Sequence, residues 1–458
     1  MSAPPVSELL PTPRAVAVPS EVRLAYVLRH FQLAYPDAPV VEIGYDPAPA
    51  GVQVLDGSNS FFLQAAPQPP APNWREWQGQ RIPFFFDAAP ETPLLTLVPG
   101  RAVVHADVVS AAFYLLSGWQ EYFSMERDRH GRFPYAASVQ RQYEFVALPV
   151  VNYYFDVLKT AIEHVTGQLL RPRRWHKAPF AAFITHDVDN INGGWGTGVR
   201  LALRRGRWLR AAQLAFSKAT ARPAPWNNLE QVQAVTACYG APSVFFVLGD
   251  NRPATNGIAN ADYEFSTPAF LARLENLQAH GAEIASHGSY DTSDDSERVQ
   301  QEIGRFGPLQ PLGNRFHYLR WEPTRTPHVV EQAGFVYDST LGFAEHFGFR
   351  HSYCLPFFPF DFSQGRAHSF LEIPLNVMDA TLQHRHYLQL RPEEMLPALS
   401  PMLAEIARFG GVATVLWHNA NFDPANEANG PQQFAQLMEE LRRRGAAFLT
   451  GQQIVAEL

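Results

Sequence analysis

The chain has 458 residues, of which 46% are hydrophobic and 13% aromatic, with a formal net charge of -7 and a pI near 6.1. That length exceeds a single core and predicts two domains, while the apolar content excludes a disordered protein. The acidic balance offers no basic surface for nucleic acid or an anionic membrane.

The first 20 residues carry several prolines and Glu8, where a secretory signal needs a basic start and an unbroken apolar core, and read as a loose leader. No apolar run reaches the ~18 residues of a membrane span. Cys238 and Cys354 lie far apart and outside any C-x-x-C pattern, so no disulfide framework or zinc knuckle is expected. These features together predict a cytoplasmic protein with no membrane span.

Residues 22–35 have helical apolar spacing, and VVEIGYD and GVQVLD read as short strands. Residues 65–95 are proline-rich and broken by turns. Residues 107–133 begin as an amphipathic helix and end in a charged loop, and 148–167 form a second helix stopped by Gly167. The basic linker RPRRWHK then places a domain boundary near 168–178, separating an α+β domain at 21–170 from a second at 179–458.

From 179 the pattern alternates. Strands are expected at 180–186, 242–249, 282–287, 316–321, 370–376, 411–418 and 446–451, with helices such as 267–281, 392–410 and 431–445 between them. Such alternation predicts a parallel sheet, open or closed into a barrel, with chemistry at the C-terminal strand ends. The polar residues fall there. The first strand ends in His186, Asp187 and Asp189; the third ends in His287, with Asp291 a turn further on; Arg315, His317 and Arg320 surround the fourth; and His418 closes the sixth.

Side chains alternate along a strand, so Thr185, Asp187 and Asp189 share one face and His186 points away. Two carboxylates on one face repel unless one is protonated or a cation lies between them, and with two histidines at neighbouring strand ends a divalent metal with mixed N and O ligands is the economical answer. Plainer roles compete at single positions: Asp189 as a helix cap or Asx-turn, His287 as a turn histidine, Asp291 as a cap, His317 as a core histidine. His384 and His386 form an H-x-H in a segment expected to lie over the site, where substrate contact or plain surface is preferred to metal binding.

These motifs resemble those of the polysaccharide deacetylases, the NodB-homology carbohydrate esterases, over residues 179–458. THDVD (185–189) resembles the family's Thr-Phe-Asp-Asp, HGSYD (287–291) its His-Ser/Thr-x-x-His, RFHYL (315–319) its Arg-x-Pro-x-Gly, and LWH (416–418) its Leu-x-His. The order and spacing match, with departures: Val188 stands where the second Asp is expected, Asp291 where the second His is, and the third motif lacks its Pro and Gly but contains His317. With its AAFYLLSGWQEYFSMERDRHGRF stretch at 111–133, the chain is similar to a divergent bacterial branch carrying an extra N-terminal domain of unknown role.

The resemblance implies a distorted (β/α) barrel that removes acetyl groups from N-acetylated, or O-acetylated, carbohydrate with a divalent metal, zinc being the first choice. Asp187 is then the base, oriented by Arg315, and His418 the acid. Asp189 and His287 are metal ligands with His317 as the third, and Asp291 is either a fourth ligand or the partner orienting His287. Two other expectations stand beside this one: an inactive barrel that binds carbohydrate or acts as a scaffold, and a hydrolase of a small non-sugar amide.

Overall fold

The computed structural model describes residues 17–45, 51–204, 206–219, 224–424, 426 and 428–458, so most of the expected leader lies outside the described residues. The helix Ser20–Ala34 turns Tyr26, Val27, Phe31 and Ala34 inward. It is followed by β1 (Ile43–Tyr45), β2 (Val52–Val54), β3 (Asn73–Trp77), β4 (Gln80–Phe84), β5 (Leu95–Val98) and β6 (Arg101–Val104). One sheet runs in the order β1-β2-β6-β5, parallel except for the β5–β6 pair.

β3 and β4 form a hairpin through Gln78 and Gly79, both with positive φ, in a stretch whose prolines suggested only turns. The helix Val108–Leu116 starts where the Asp107 carboxylate accepts from the Ser110 N–H, and Val150–Thr166 ends at Gly167, with φ of 71°.

The second half contains β7 (Ala181–Val188), β8 (Val244–Leu248), β9 (Glu283–Gly288), β10 (Gly313–Phe316), β11 (Tyr337–Asp338), a hairpin of β12 (Phe360–Asp361) and β13 (Arg366–Ala367), then β14 (Leu371–Glu372), β15 (Val377–Met378), β16 (Val412–Leu416) and β17 (Ala447–Phe448). Except for the β12–β13 hairpin these strands pair in parallel, in the order β14-β11-β10-β9-β8-β7-β16-β15. β14 and β15 are the two ends of one stretch, residues 371–378. Its first end pairs with β11 and its second with β16, and this single stretch closes the sheet on itself.

β17 wedges against the start of β7, at Ala181 and Ala182, while β8 pairs with its end from Thr185 onward. The result is a distorted (β/α) barrel, as expected. Two strand expectations need correction. The fourth strand is 313–316 rather than 316–321, because the chain turns at His317–Leu319 with Tyr318 and Leu319 at φ of 61° and 54°. The pair at 337–338 was not anticipated, since two residues carry no periodicity.

Alternation along β7 divides its surroundings. Ala182, Ile184 and Val188 join the large core outside the barrel, whereas Ala181 and Phe183 join Val244, Phe246, Ala285, Tyr337, Ile373 and Val412 inside it. The lower interior is therefore filled with apolar side chains, and above Phe183 the inward positions become Thr185 and Asp187. The N-terminal region shares the outer core: Phe360 packs against Tyr26 and Phe113, with centroids 5.1 and 5.0 Å away. Arg350 also forms a buried ion pair with Glu121 at 2.6 Å.

Candidate functional site

Asp187 ends the inward row of β7, and Arg315 reaches it from β10. The Arg315 Nη1 donates to Asp187 Oδ1 at 2.8 Å and to Thr185 Oγ1 at 2.9 Å. Its Nε and Nη2 donate to the carbonyl oxygen and Oγ of Ser339, at 2.8 and 3.0 Å. The guanidinium is fully buried and lies over the Phe246 ring at 4.2 Å, so its position is set by packing as well as by hydrogen bonds. A buried charge pair in which each guanidinium nitrogen makes at least one hydrogen bond is the arrangement in which burial is tolerated.

Val188 faces the outer core, which returns Asp189 to the Asp187 side just beyond the strand. There Asp189 Oδ1 lies 3.4 Å from His287 Nε2 and 3.6 Å from His317 Nε2. The His287 Nδ1 lies 2.8 Å from the Arg315 carbonyl oxygen, and His317 Nδ1 lies 3.3 Å from Asn260 Oδ1. In each ring Nδ1–H donates to that oxygen, which turns Nε2 toward Asp189. Asp189 Oδ1 is buried and accepts no hydrogen bond.

Each of the three residues brings one ligand atom to within 4.8 Å of the others. Donors about 2.0–2.1 Å from a tetrahedral ion sit roughly 3.3–3.5 Å apart; the 3.4 Å spacing of Asp189 and His287 falls in that range and the 3.6 Å spacing of Asp189 and His317 lies just beyond it. The orphaned oxygen and the two imidazoles oriented through Nδ1 fit a divalent cation.

Electrostatics separate the imidazoles. Burial lowers His317 to about 4. For His287 burial acts in the same direction, but Asp187 and Asp189 outweigh it and raise the ring above its ordinary value. Burial opposes the charge of Asp189 too, yet His317, His287 and His418 hold it well below the usual carboxylate range.

His418 follows β16, the strand next to β7, its Nε2 3.7 Å from Asp189 Oδ2. Its Nδ1 donates to Asp379 Oδ1 at 2.7 Å, and its backbone N–H donates to Asp379 Oδ2 at 2.7 Å. Burial lowers His418, but Asp379 together with Asp189 and Asp187 overcomes this and raises it to about 10.

Asp379 is fully buried after β15, and the sequence reading passed over it. Its only local signal was an acid following the apolar pair Val377–Met378.

Asp291 needs correction. After β9 the chain turns, with Thr292 N–H donating to the Ser289 carbonyl, and this carries Asp291 out toward Thr255, whose N–H it accepts at 2.7 Å. It therefore neither joins the cluster nor orients His287; the Arg315 carbonyl does the latter. His186 points away from the barrel as expected, Nδ1–H donating to the Trp417 carbonyl at 2.8 Å.

A cavity of about 310 Å³ contains Asp187, Asp189, His287, His317 and His418. His384 and Tyr387 line its mouth, and so do Arg129, His130 and Arg132 from the N-terminal region, where the sequence suggested no site residue. Arg132 is anchored by Asp128 Oδ2 at 2.8 Å and the Tyr318 carbonyl at 2.7 Å, which fixes this loop to the turn that carries His317.

Fold and site together define a (β/α) barrel whose C-terminal strand ends hold a His2Asp donor set, an Arg-bound aspartate and an Asp-bound histidine. Residues 24–167 match a family of unknown function, DUF7033. No curated protein matches the sequence.

Among solved structures the chain is similar to Puue allantoinase, with 15% identity over 62% of this chain and 93% of that one and a TM-score of 0.40. It is also similar to a "probable polysaccharide deacetylase" from Pseudomonas aeruginosa PAO1, with 14% identity over 61% and 90% of the two chains and a TM-score of 0.39. A third is the catalytic domain of a peptidoglycan N-acetylglucosamine deacetylase from Eubacterium rectale ATCC 33656, at 11% identity over 59% and 87% and a TM-score of 0.26. Among the described residues no helix is long and apolar enough to cross a membrane.

Proposed function

We propose that the protein is a metal-dependent hydrolase that removes acetyl groups from an N-acetylated or O-acetylated carbohydrate. The supporting observation is the convergence of two groups on one cavity: Asp187 with Arg315 beside the Asp189–His287–His317 set, and His418 with Asp379. A divalent ion, zinc by preference, held by those three residues supplies Lewis acidity toward a water molecule and the acyl oxygen.

Asp187 has Oδ1 occupied by Arg315, so Oδ2 is the atom that takes a proton as the water adds to the acetyl carbon. Arg315 holds that carboxylate at one angle and leaves its second oxygen turned toward His287 Nε2, 3.7 Å away. His418 delivers a proton from Nε2 to the leaving nitrogen or oxygen, while Asp379 keeps Nδ1–H pointed away from substrate. Residues 21–170 are taken as an N-terminal domain and 179–458 as the catalytic barrel. The loop bearing Arg129, His130 and Arg132 forms one side of the substrate entrance.

The test combines metal analysis with acetate release. Asp189→Ala and His287→Ala are expected to lose bound metal, whereas Asp187→Asn keeps it and loses acetate release from N-acetylated oligosaccharides. Metal content unchanged in both ligand variants would overturn the donor set, and full activity in Asp187→Asn would overturn the base.

A further inference from the structure

A second group of side chains with ligand chemistry lies away from the barrel mouth. His328 on the helix Thr326–Ala333, Asp361 on β12 and His368 just after β13 each bring one ligand atom to within 4.8 Å of the other two. Asp361 and His368 are 2% and 1% exposed, while His328 is open enough to admit an ion from solvent.

The three groups do not satisfy one another. Asp361 Oδ1 accepts from the Ser363 N–H, the Ser363 hydroxyl and the Gln364 N–H, at 2.8, 2.6 and 3.1 Å. Its Oδ2 is buried and has no hydrogen-bond partner. An unsatisfied buried oxygen of this kind costs ~1–3 kcal/mol, more when charged. The approach of His328 Nε2 to Oδ1, at 3.8 Å, is too long for a hydrogen bond.

His368 is already oriented. Its Nδ1 donates to Glu331 Oε2 at 3.0 Å, and Glu331 is itself held by Arg366 Nη2 at 3.1 Å and the Ser369 N–H at 2.8 Å. That leaves the Nε2 lone pair of His368 without a role. A carboxylate behind one ring nitrogen is the usual support of a metal-bound histidine, because it fixes the tautomer and raises the basicity of the other nitrogen. The His328 and His368 rings meet edge to face at 4.9 Å.

We propose a second divalent-cation site here, formed by His328 Nε2, Asp361 and His368 Nε2, with water completing the shell. Two imidazoles and one carboxylate favour zinc or a similar first-row ion over magnesium or calcium, which prefer all-oxygen shells. Ligand distances of about 2.0–2.1 Å require donor atoms that now lie within 4.8 Å of one another to draw closer around the ion.

The role is structural. The β12–β13 hairpin also carries Phe362, which packs on Tyr122 and Trp119 at 4.3 and 5.6 Å, so the ion ties the helix Thr326–Ala333 to the hairpin that docks the N-terminal region.

The experiment uses the full chain, freed of metal by a chelator and titrated with Zn2+ or Co2+. In a variant lacking the barrel donors, Asp189→Ala with His287→Ala, one equivalent is expected to bind and to raise the unfolding midpoint by mass action. Adding His328→Ala, a substitution at a half-exposed position, abolishes both effects, and His368→Gln does the same. If the barrel variant binds no metal, or binds it equally with and without His328→Ala, the site does not exist. If instead wild type binds a single equivalent that only His328→Ala removes, this site stands and the barrel donor set fails.

Discussion

Asp379 holds His418 at two points, through the ring Nδ1 and through the backbone N–H, and also accepts from Asn421 Nδ2 at 2.6 Å. Replacing it with Asn keeps a hydrogen-bond acceptor but removes the charge. Burial then governs His418, and the ring loses the proton that the proposed acid role requires. Asp379→Asn is therefore expected to lower kcat by ~10²–10⁴-fold, the contribution of a positioned general acid, with metal stoichiometry unchanged. A kcat close to wild type would remove His418 from the acid role. The partner carboxylate lies 39 positions from His418 in sequence, so no motif spacing could announce the pair, whereas Asp187 and Asp189 stand two apart on one strand.

At the scale of elements, β10 approaches β11 so closely that a Cβ at Gly313 would fall 1.9 Å from Tyr337 Cζ. The Tyr337 hydroxyl donates to Glu283 Oε1 at 2.5 Å, so swinging the ring aside breaks a buried hydrogen bond. Gly313→Ala is expected to destabilise the fold by about 1–3 kcal/mol, in the range of overpacked cores, read as a lower urea midpoint with the same slope. An unchanged midpoint would mean that the barrel relaxes at this crossing.

The long strands β7, β8 and β16 were legible because each is buried on both faces and is largely apolar, whereas β9, with only Ile284 and Ala285 as an apolar pair, was marked by its place in the strand–helix alternation. β11, β14 and β15 have two residues each, and their conformation comes from neighbours rather than from local pattern. FHYLRW looked like a strand because aromatic and aliphatic residues suit one, but the chain needs the left-handed Tyr318 and Leu319 to turn His317 over Asp189.

Across the whole molecule, His30 joins the first helix to the loop before β12. Its Nδ1–H donates to the Tyr26 carbonyl at 2.7 Å, and its Nε2 accepts from the Phe358 N–H at 3.0 Å. Protonation removes that acceptor. Burial lowers His30 from the ordinary 6.5 to about 3, and burial likewise lowers His186 to about 4.

A base depressed in the folded state binds its proton more readily when unfolded. Its stabilising contribution is full above 6.5 and is lost as pH falls from 6.5 toward the folded value. Between those limits each such histidine costs about 1.4 kcal/mol per pH unit. Urea unfolding of wild type is expected to weaken more steeply between pH 6 and pH 4 than that of His30→Gln, which has no proton to gain there. Parallel pH profiles would contradict this account of His30.

The sequence by itself determined the barrel class and brought Asp187, Asp189, His287, Arg315, His317 and His418 into view. Strand alternation and apolar runs are local properties, and in a parallel sheet every strand ends on the same rim. Only the tertiary structure decided which residues meet on that rim. It excluded Asp291, which the turn after Gly288 carries to another loop, and brought in Asp379, delivered by the stretch that closes the sheet. It also set Arg129, His130 and Arg132 at the entrance, because the N-terminal helices and the barrel share one core. Those meetings depend on distances between segments far apart in the chain, which composition and spacing do not encode.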